Sequence, residues 1–393
     1  MISNLEDLVK HRLGDLIDIQ TGKIDSNQAK EGGVYPFFTC APAPLKIDWP
    51  SFDTDAILLS GNNANGVYHI HRYSGKFNAY QRTYVLTTKR EHVSLDYVYY
   101  FLTLRLNFLQ DISQGTATKF LTKRILEDIE VSLPDKLVQD KVALILKSLE
   151  TKYQINQQMN EILESITQAL FKHWFIDFEF PDENGRPYKS SVGEMNDSEM
   201  EGIPKGWKPG SFEDIIELKM GLSPRGETYN NIGKGLPLVN GAADFSEGNV
   251  KPRKFTNHPT RVCKKGDLLF CIRGTIGNLV YADREYCLGR GVAAITAKSD
   301  YCKEFVYCVL SFGLEKLNGI ATGSVIKGLS KPDILKYPIL LADRNLLKTF
   351  HTLLEPIFLR REFLKKENYF LSLIRDSLLP KLMSGKIRVP VEE

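Results

Sequence analysis

The feature that most constrains this chain is that it is written twice. Gly115-Thr116-Ala117-Thr118-Lys119-Phe120-Leu121-Thr122-Lys123 returns as Gly323-Ser324-Val325-Ile326-Lys327-Gly328-Leu329-Ser330-Lys331, an offset of 208 residues. The offset then holds without a gap. Leu133 matches Leu341, Asp135 matches Asp343, Leu146 matches Leu354, Leu163 matches Leu371, Ile166 matches Ile374 and Leu170 matches Leu378. Toward the front of each copy the likeness persists with shifted offsets: residues 12–19 resemble 211–218, and residues 55–60 resemble 266–271. Shifting offsets mean insertions and deletions. Each copy is therefore a variable front module followed by a constant one.

A chain of 393 residues has room for two or three domains with real cores. Apolar residues at 42% and charged residues at 25% are ordinary for a globular protein. No apolar run is long enough to span a membrane, and the first residues lack the basic-then-apolar pattern of a secretion signal, so a cytoplasmic location is expected. The six cysteines form no CxxC pair and five lie in the second half, which argues against a zinc module or a disulfide framework. A net charge of +3 neither demands nor excludes nucleic acid; any basic surface has to be local.

Each front module, 12–134 and 211–342, is rich in Gly, Asn, Tyr and short apolar runs. The runs at 56–59, 84–87, 267–270 and 292–295 read as short buried strands, and 95–109 and 303–317 as helices. Behind each front module comes a heptad helix. The first, over 138–174, places Val142, Ile145, Leu149, Asn156, Met159, Leu163, Ile166 and Leu170 on its seam. The second places Leu353, Ile357, Leu364, Leu371, Ile374 and Leu378 there, with a break expected at Pro356 and an end at Pro380. A single polar seam residue such as Asn156 fixes register at some cost in stability. A helix of about 40 residues spans on the order of 60 Å.

Neither apolar face is thick, so each helix wants a partner, and the simplest partner is the other copy. The fold class expected is α+β: two similar α/β domains separated by two long helices packed as an antiparallel coiled coil, with a pseudo-twofold internal repeat. The divisions are a first recognition domain over 1–134, a helical spacer over 135–180, a Gly-, Pro- and Ser-rich linker over 181–210, a second domain over 211–342 and a C-terminal helical spacer over 343–393.

Two similar heads on a spacer suit a target that is itself roughly twofold, and duplex DNA is such a target. In the first head the candidate DNA contacts are Asn62, Asn63, Arg72, Lys76, Gln81, Arg82, Thr116, Thr118, Lys119 and Lys123. In the second they are Lys219, Ser223, Arg225, Arg253, Lys254, Arg273, Thr275, Arg290, Ser324, Lys327 and Lys331. Asn can pair bidentately with adenine, and Arg225, after Ser223-Pro224, is the favoured base-reading candidate in the second head. Groups that recur in both heads suit phosphates; groups that differ suit bases. A solvated face or a plain turn accounts for many of these residues equally well. His69 and His71 share a strand face but have no third metal ligand nearby in sequence.

No catalytic residue is assigned. A GxGxxG fingerprint, a P-loop, a GxSxG elbow and an Asn/Asp-Pro-Pro-aromatic methyltransferase loop are all absent, and Asp214, Glu217 and Lys219 are too compact for a nuclease cluster. The rival to a DNA reader is a scaffold with two protein-binding heads.

The chain resembles the specificity subunits of type I restriction–modification systems over essentially its whole length. The likeness rests on Arg12-Leu13-Gly14-Asp15-Leu16, on Gly115 to Leu121 leading into Ile129-Glu130-Val131-Ser132-Leu133-Pro134-Asp135 and Gln139, on Ala169 to Pro181, and on Ile203-Pro204-Lys205-Gly206-Trp207. The resemblance implies two target-recognition domains reading the halves of a bipartite site in double-stranded DNA. It implies helices that set the spacing and dock two methyltransferase subunits, with restriction and translocase subunits joining. S-adenosylmethionine, ATP and Mg would then sit on those partners, and this chain would hold no cofactor or metal. There are departures. The family's Pro-Pro before the helix is Leu133-Pro134-Asp135 here and Leu341-Ala342-Asp343 in the second copy, and Gln139 is matched by Leu347.

Overall fold

Period-two burial decides the central strand of each head. Ile57 and Leu59 join one apolar cluster, Ala56 and Leu58 another, and all four are buried. The strand is covered on both faces, which is why its sequence is a continuous apolar run. The second copy repeats the device: Leu268 and Phe270 face one cluster and Leu269 the other.

The computed structural model describes residues 9–63, 67–113, 119–196, 202–246, 248–323 and 327–390. It forms two compact units, Met1–Gln154 with Tyr369–Glu393, and Ile155–Asn368. In the first unit a six-stranded sheet runs in the order Ile17–Thr21, Thr83–Thr88, Phe52–Ser60, Ile70–Ala79, Tyr35–Phe38, Leu45–Ile47. All neighbours are antiparallel except Tyr35–Phe38 beside Ile70–Ala79. Helix Leu95–Leu104 covers one face through Tyr97, Val98, Phe101 and Leu102. Val9–Arg12 pairs antiparallel with Glu130–Leu133 and closes the head.

In the second unit the central sheet is Ile216–Met220, Val292–Ala297, Leu268–Cys271, Gly277–Tyr281, and helix Lys303–Ile320 covers it through Phe305, Val306, Val309 and Leu310. A second small sheet again carries one parallel pair, Leu236–Val239 beside Cys287–Leu288. Lys208–Ser211 with Pro338–Leu341 is the closing pair, so this head begins inside the stretch expected as linker. The loop before it is pinned by rings: Phe180 stacks on Tyr188 at 4.5 Å and on Trp207 at 5.4 Å.

The long helices are Lys136–Phe171, extended by a π-helical turn over Lys172–Ile176, and Arg344–Met383. Two expectations are corrected. Pro356 does not break the second helix, because buried Leu354 and Phe358 on either side hold it against the core of its unit. That packing outweighs the backbone bond a proline loses. Pro380 does not end it either; the helix runs on to Met383 because Leu379 and Leu382 are buried.

The heptad seam is also corrected, by one residue at every second position. Val142, Leu149, Asn156, Leu163 and Leu170 do face inward, as do Ile357, Leu364, Leu371 and Leu378. Ile145, Ile166, Leu353 and Ile374 are 36%, 40%, 43% and 45% exposed. Their places in the seam are taken by Leu146, Thr167, Leu354 and Arg375, and Asn160 stands beside half-buried Met159. The alternate positions are largely polar, so a count of apolar residues slides onto the neighbouring aliphatic side chain. Within the second unit the seam is antiparallel: Asn156 Nδ2 donates to Asn368 Oδ1 at 2.9 Å and to Glu367 Oε2 at 2.7 Å. Arg361 pairs with Glu164 and lies over the Tyr307 and Phe358 rings.

Replacing the fully buried Leu364 by Ala should cost about 2–5 kcal/mol. The same change at exposed Ile374 should cost under about 0.5 kcal/mol. Melting curves followed by helical circular dichroism measure both, and equal losses would refute the corrected seam.

Candidate nucleic-acid interface

Each head finishes its central sheet with the same four backbone hydrogen bonds. In the first head Gly22 N–H donates to Thr83 O at 3.2 Å, Gly61 N–H to Arg82 O at 2.7 Å, Leu121 N–H to Gly61 O at 2.8 Å, and Thr83 N–H to Tyr80 O at 2.8 Å. In the second head Gly221 donates to Val292 O at 3.0 Å, Ile272 to Gly291 O at 2.9 Å, Leu329 to Ile272 O at 2.9 Å, and Val292 to Gly289 O at 3.1 Å. Four stretches far apart in sequence therefore meet at one rim. The match also fixes equivalences: Asn62 with Arg273, Gln81 with Arg290, Lys119 with Lys327.

The first rim is amide-rich. Asn62 and Asn63 form a short strand opposite Lys119–Phe120. The Cys40 thiol donates to Asn62 Oδ1 at 3.0 Å. Gln81 is exposed, and its Nε2 contacts Asp25 Oδ2 at 3.3 Å. Asn62 and Gln81, with Arg82, Tyr84, Phe120 and Leu121, line a surface hollow of about 480 Å³. The second rim is cationic. Arg273 bridges Gly328 through its backbone, next to Gly274 N–H donating to Lys327 O at 2.9 Å. Ser223 Oγ accepts from Arg290 N–H and donates to Asn240 Oδ1, both at 3.1 Å. Arg273, Thr275, Arg290 and Lys327 are all exposed.

Asn240 was missed by sequence reasoning. Its signal lies in the glycines around Arg290: a Cβ at Gly289 would stand 2.0 Å from Asn240 Oδ1, and one at Gly291 would stand 2.4 Å from the Asn240 carbonyl. Close approach of two backbones requires glycine there.

Other candidates lie apart from the rims. Arg72 is turned inward, with Nε on Asp96 at 2.6 Å and its two terminal nitrogens on Asp55 at 2.7 and 2.5 Å. Lys219 Nζ is held by the Val262 carbonyl at 2.7 Å. Lys254 lies over the Tyr229 ring at 5.6 Å, and Arg225 is 3.8 Å from Glu227. Lys76 and Arg253 are exposed. Lys123 and Lys331 each open a short helix capped by the preceding Thr122 or Ser330, so both point to solvent from equivalent caps. Thr116, Thr118 and Ser324 fall outside the described residues. Gln139, prominent in the family likeness, is buried: its Oε1 accepts from Ser94 N–H at 2.9 Å and its Nε2 donates to the Pro134 and His92 carbonyls. Its counterpart Leu347 packs into the apolar core of the second unit.

Two stretches, 6–165 and 204–343, match the family described as type I restriction modification DNA specificity domain. The EcoDI specificity subunit of Escherichia coli is 32% identical over 218 residues, covering 52% of this chain and 48% of that protein. The chain thus spans about half the length of that relative. The MjaIX specificity subunit of Methanocaldococcus jannaschii is 28% identical over 313 residues, covering 76% of this chain and 71% of its own length. Among solved structures, the type I restriction–modification S subunit from M. genitalium matches with a TM-score of 0.66 at 16% identity, over 100% of this chain and 97% of that one. That likeness establishes the fold.

The inward position of Arg72 has a measurable consequence. Arg72→Ala should lower stability by about 2 kcal/mol, since two carboxylates lose a charged donor. The Arg72 guanidinium holds the Asp55 carboxyl below its usual range. That contribution is present above the unfolded aspartate value and is lost as pH falls through the lower folded one. The gap between the two proteins should therefore narrow below about pH 4. Denaturant titrations across pH test this, and a gap that widens in acid contradicts it.

Proposed function

Because this chain belongs to the family of type I restriction modification DNA specificity domains, we propose that it is the sequence-reading subunit of a type I restriction–modification complex. One observation carries the reading. Two heads share one backbone frame at their rims and differ in the polar side chains mounted on it. A frame held constant with readers that vary is what two half-sites of different sequence require. The exposed cations of the second rim and the exposed amide of the first favour a polyanionic, base-bearing target over a protein ligand.

In this reading residues 1–134 and 211–342 are the two recognition domains, and the long helices behind them are the spacer. Recurring Lys119 and Lys327 serve the phosphate backbone, which supplies affinity, and the unlike groups supply sequence preference. The chain carries no catalytic centre. Methyl transfer belongs to two methyltransferase subunits, and cleavage and translocation to restriction subunits, with S-adenosylmethionine, ATP and Mg bound there. The apolar side chains left exposed on the long helices, Ile162, Leu359 and Phe363 in the second unit and Leu144, Phe370 and Leu373 in the first, suit partner docking. Among the described residues no helix is long and apolar enough to cross a membrane, and assembly in the cytoplasm fits such a system.

Exchanging residues 1–134 for those of a relative should change one half of the methylated motif and leave the other intact. Inserting one heptad into both helices should change the unread gap by about three base pairs, from ~1.5 Å per residue and ~3.4 Å per base step. Sequencing of methylated genomic DNA from cells carrying the complex reads both results; a chimera that alters both halves, or a gap that stays constant, overturns the division of labour. Lys119→Ala and Lys327→Ala should each weaken binding to all sequences alike and reduce the salt dependence by about one counterion. Binding titrations at several salt concentrations check this.

A further inference from the structure

Of the positions in the matched frame where the residue type changes while the backbone bonds do not, two in each head exchange one planar polar group for another; Arg82 beside them is matched by Gly291. Asn62 follows Gly61, whose carbonyl accepts the Leu121 N–H; Arg273 follows Ile272, whose carbonyl accepts the Leu329 N–H. Gln81 sits inside the turn closed from Thr83 to Tyr80, and Arg290 inside the turn closed from Val292 to Gly289. The first head thus presents two carboxamides where the second presents two guanidinium groups.

That difference is the one that separates the purines. A carboxamide sets one acceptor beside one donor, matching the N6–H and N7 edge of adenine; a guanidinium sets two parallel donors, matching O6 and N7 of guanine. Building on the reading proposed above, we infer that Asn62 and Gln81 select adenine in the half-site of the first head, and that Arg273 and Arg290 select guanine in the half-site of the second. The local construction fits readers rather than incidental surface groups. Asn62 is oriented by the Cys40 thiol on its Oδ1. Arg290 stands between two glycines that are pressed against Asn240, and Ser223 Oγ accepts from its backbone N–H at 3.1 Å. Lys119 and Lys327, identical in the two heads, carry no such information.

The test uses the full chain assembled with its methyltransferase subunit, with methylated bases mapped across genomic DNA. The unaltered complex should give a two-part motif. Arg290→Gln should move the preference at one position of one half from guanine toward adenine, by on the order of ten- to a hundred-fold in relative methylation, and leave the other half unchanged. Gln81→Arg should do the converse in the other half, a gain that a misfolded protein cannot imitate. Arg273→Asn and Asn62→Arg should act in the same senses at a neighbouring base. If the arginine variants instead slow methylation at every sequence alike while the motif stays as it was, those residues hold phosphates and the inference falls, with the reading beneath it intact. If the unaltered complex methylates no two-part motif, the reading itself falls.

Discussion

The hydrogen bond from Asn156 to Asn368 is the interaction on which the second unit depends most. A carboxamide buried in a seam finds its partner in one register only, because sliding either helix by a turn leaves a polar group facing carbon. The neighbouring Arg361–Glu164 pair makes the same demand and extends it outward. Tyr307, on the helix that covers the second head, donates to Glu164 at 2.9 Å, and Glu304 of that helix bonds His351 Nδ1 at 2.6 Å. Helix register and head position are thereby each held by polar pairs along the same two helices. Such networks add little net stability, and their return is a single arrangement in place of several close ones.

The rims show a second economy. Their geometry is set by main-chain donors and acceptors, which every residue type except proline supplies. Side chains enter only as cargo, apart from the few contacts that steady them, such as Cys40 on Asn62 and Ser223 on the Arg290 backbone. The same separation explains why the closing strands, Val9–Arg12 with Glu130–Leu133 and Lys208–Ser211 with Pro338–Leu341, match in position and hardly in sequence.

Much of this was legible in the chain before any coordinates. The offset of 208 between Lys119 and Lys327, and the shifted offsets linking 55–60 with 266–271 and 12–19 with 211–218, are obeyed by three of the four rim stretches; the stretch at 80–83 pairs with 289–292 at a further offset of 209 that was not read from the sequence. Repeats are read from identity and need no energetic judgement. The seam was half legible, because positions such as Leu149 and Leu163 are apolar, whereas Asn160, Thr167, Arg361 and Arg375 are polar and pass for surface. Arg72 misled for a related reason: a polar residue in a variable stretch suggests an outward contact, and only packing shows that it is committed inward. Pro356 was misjudged because the local cost of a proline can be read from sequence, while the burial of Leu354 and Phe358 that offsets it cannot.

Consider last the glycines that flank Arg290. They leave one side chain on the tip of a turn whose backbone is locked to Asn240 and Ser223. A substitution at that tip touches no core atom and breaks no rim bond, so its cost to folding is close to nothing. The residue there can change while the rim and the core keep their form. Stability therefore places no demand on which residue stands there.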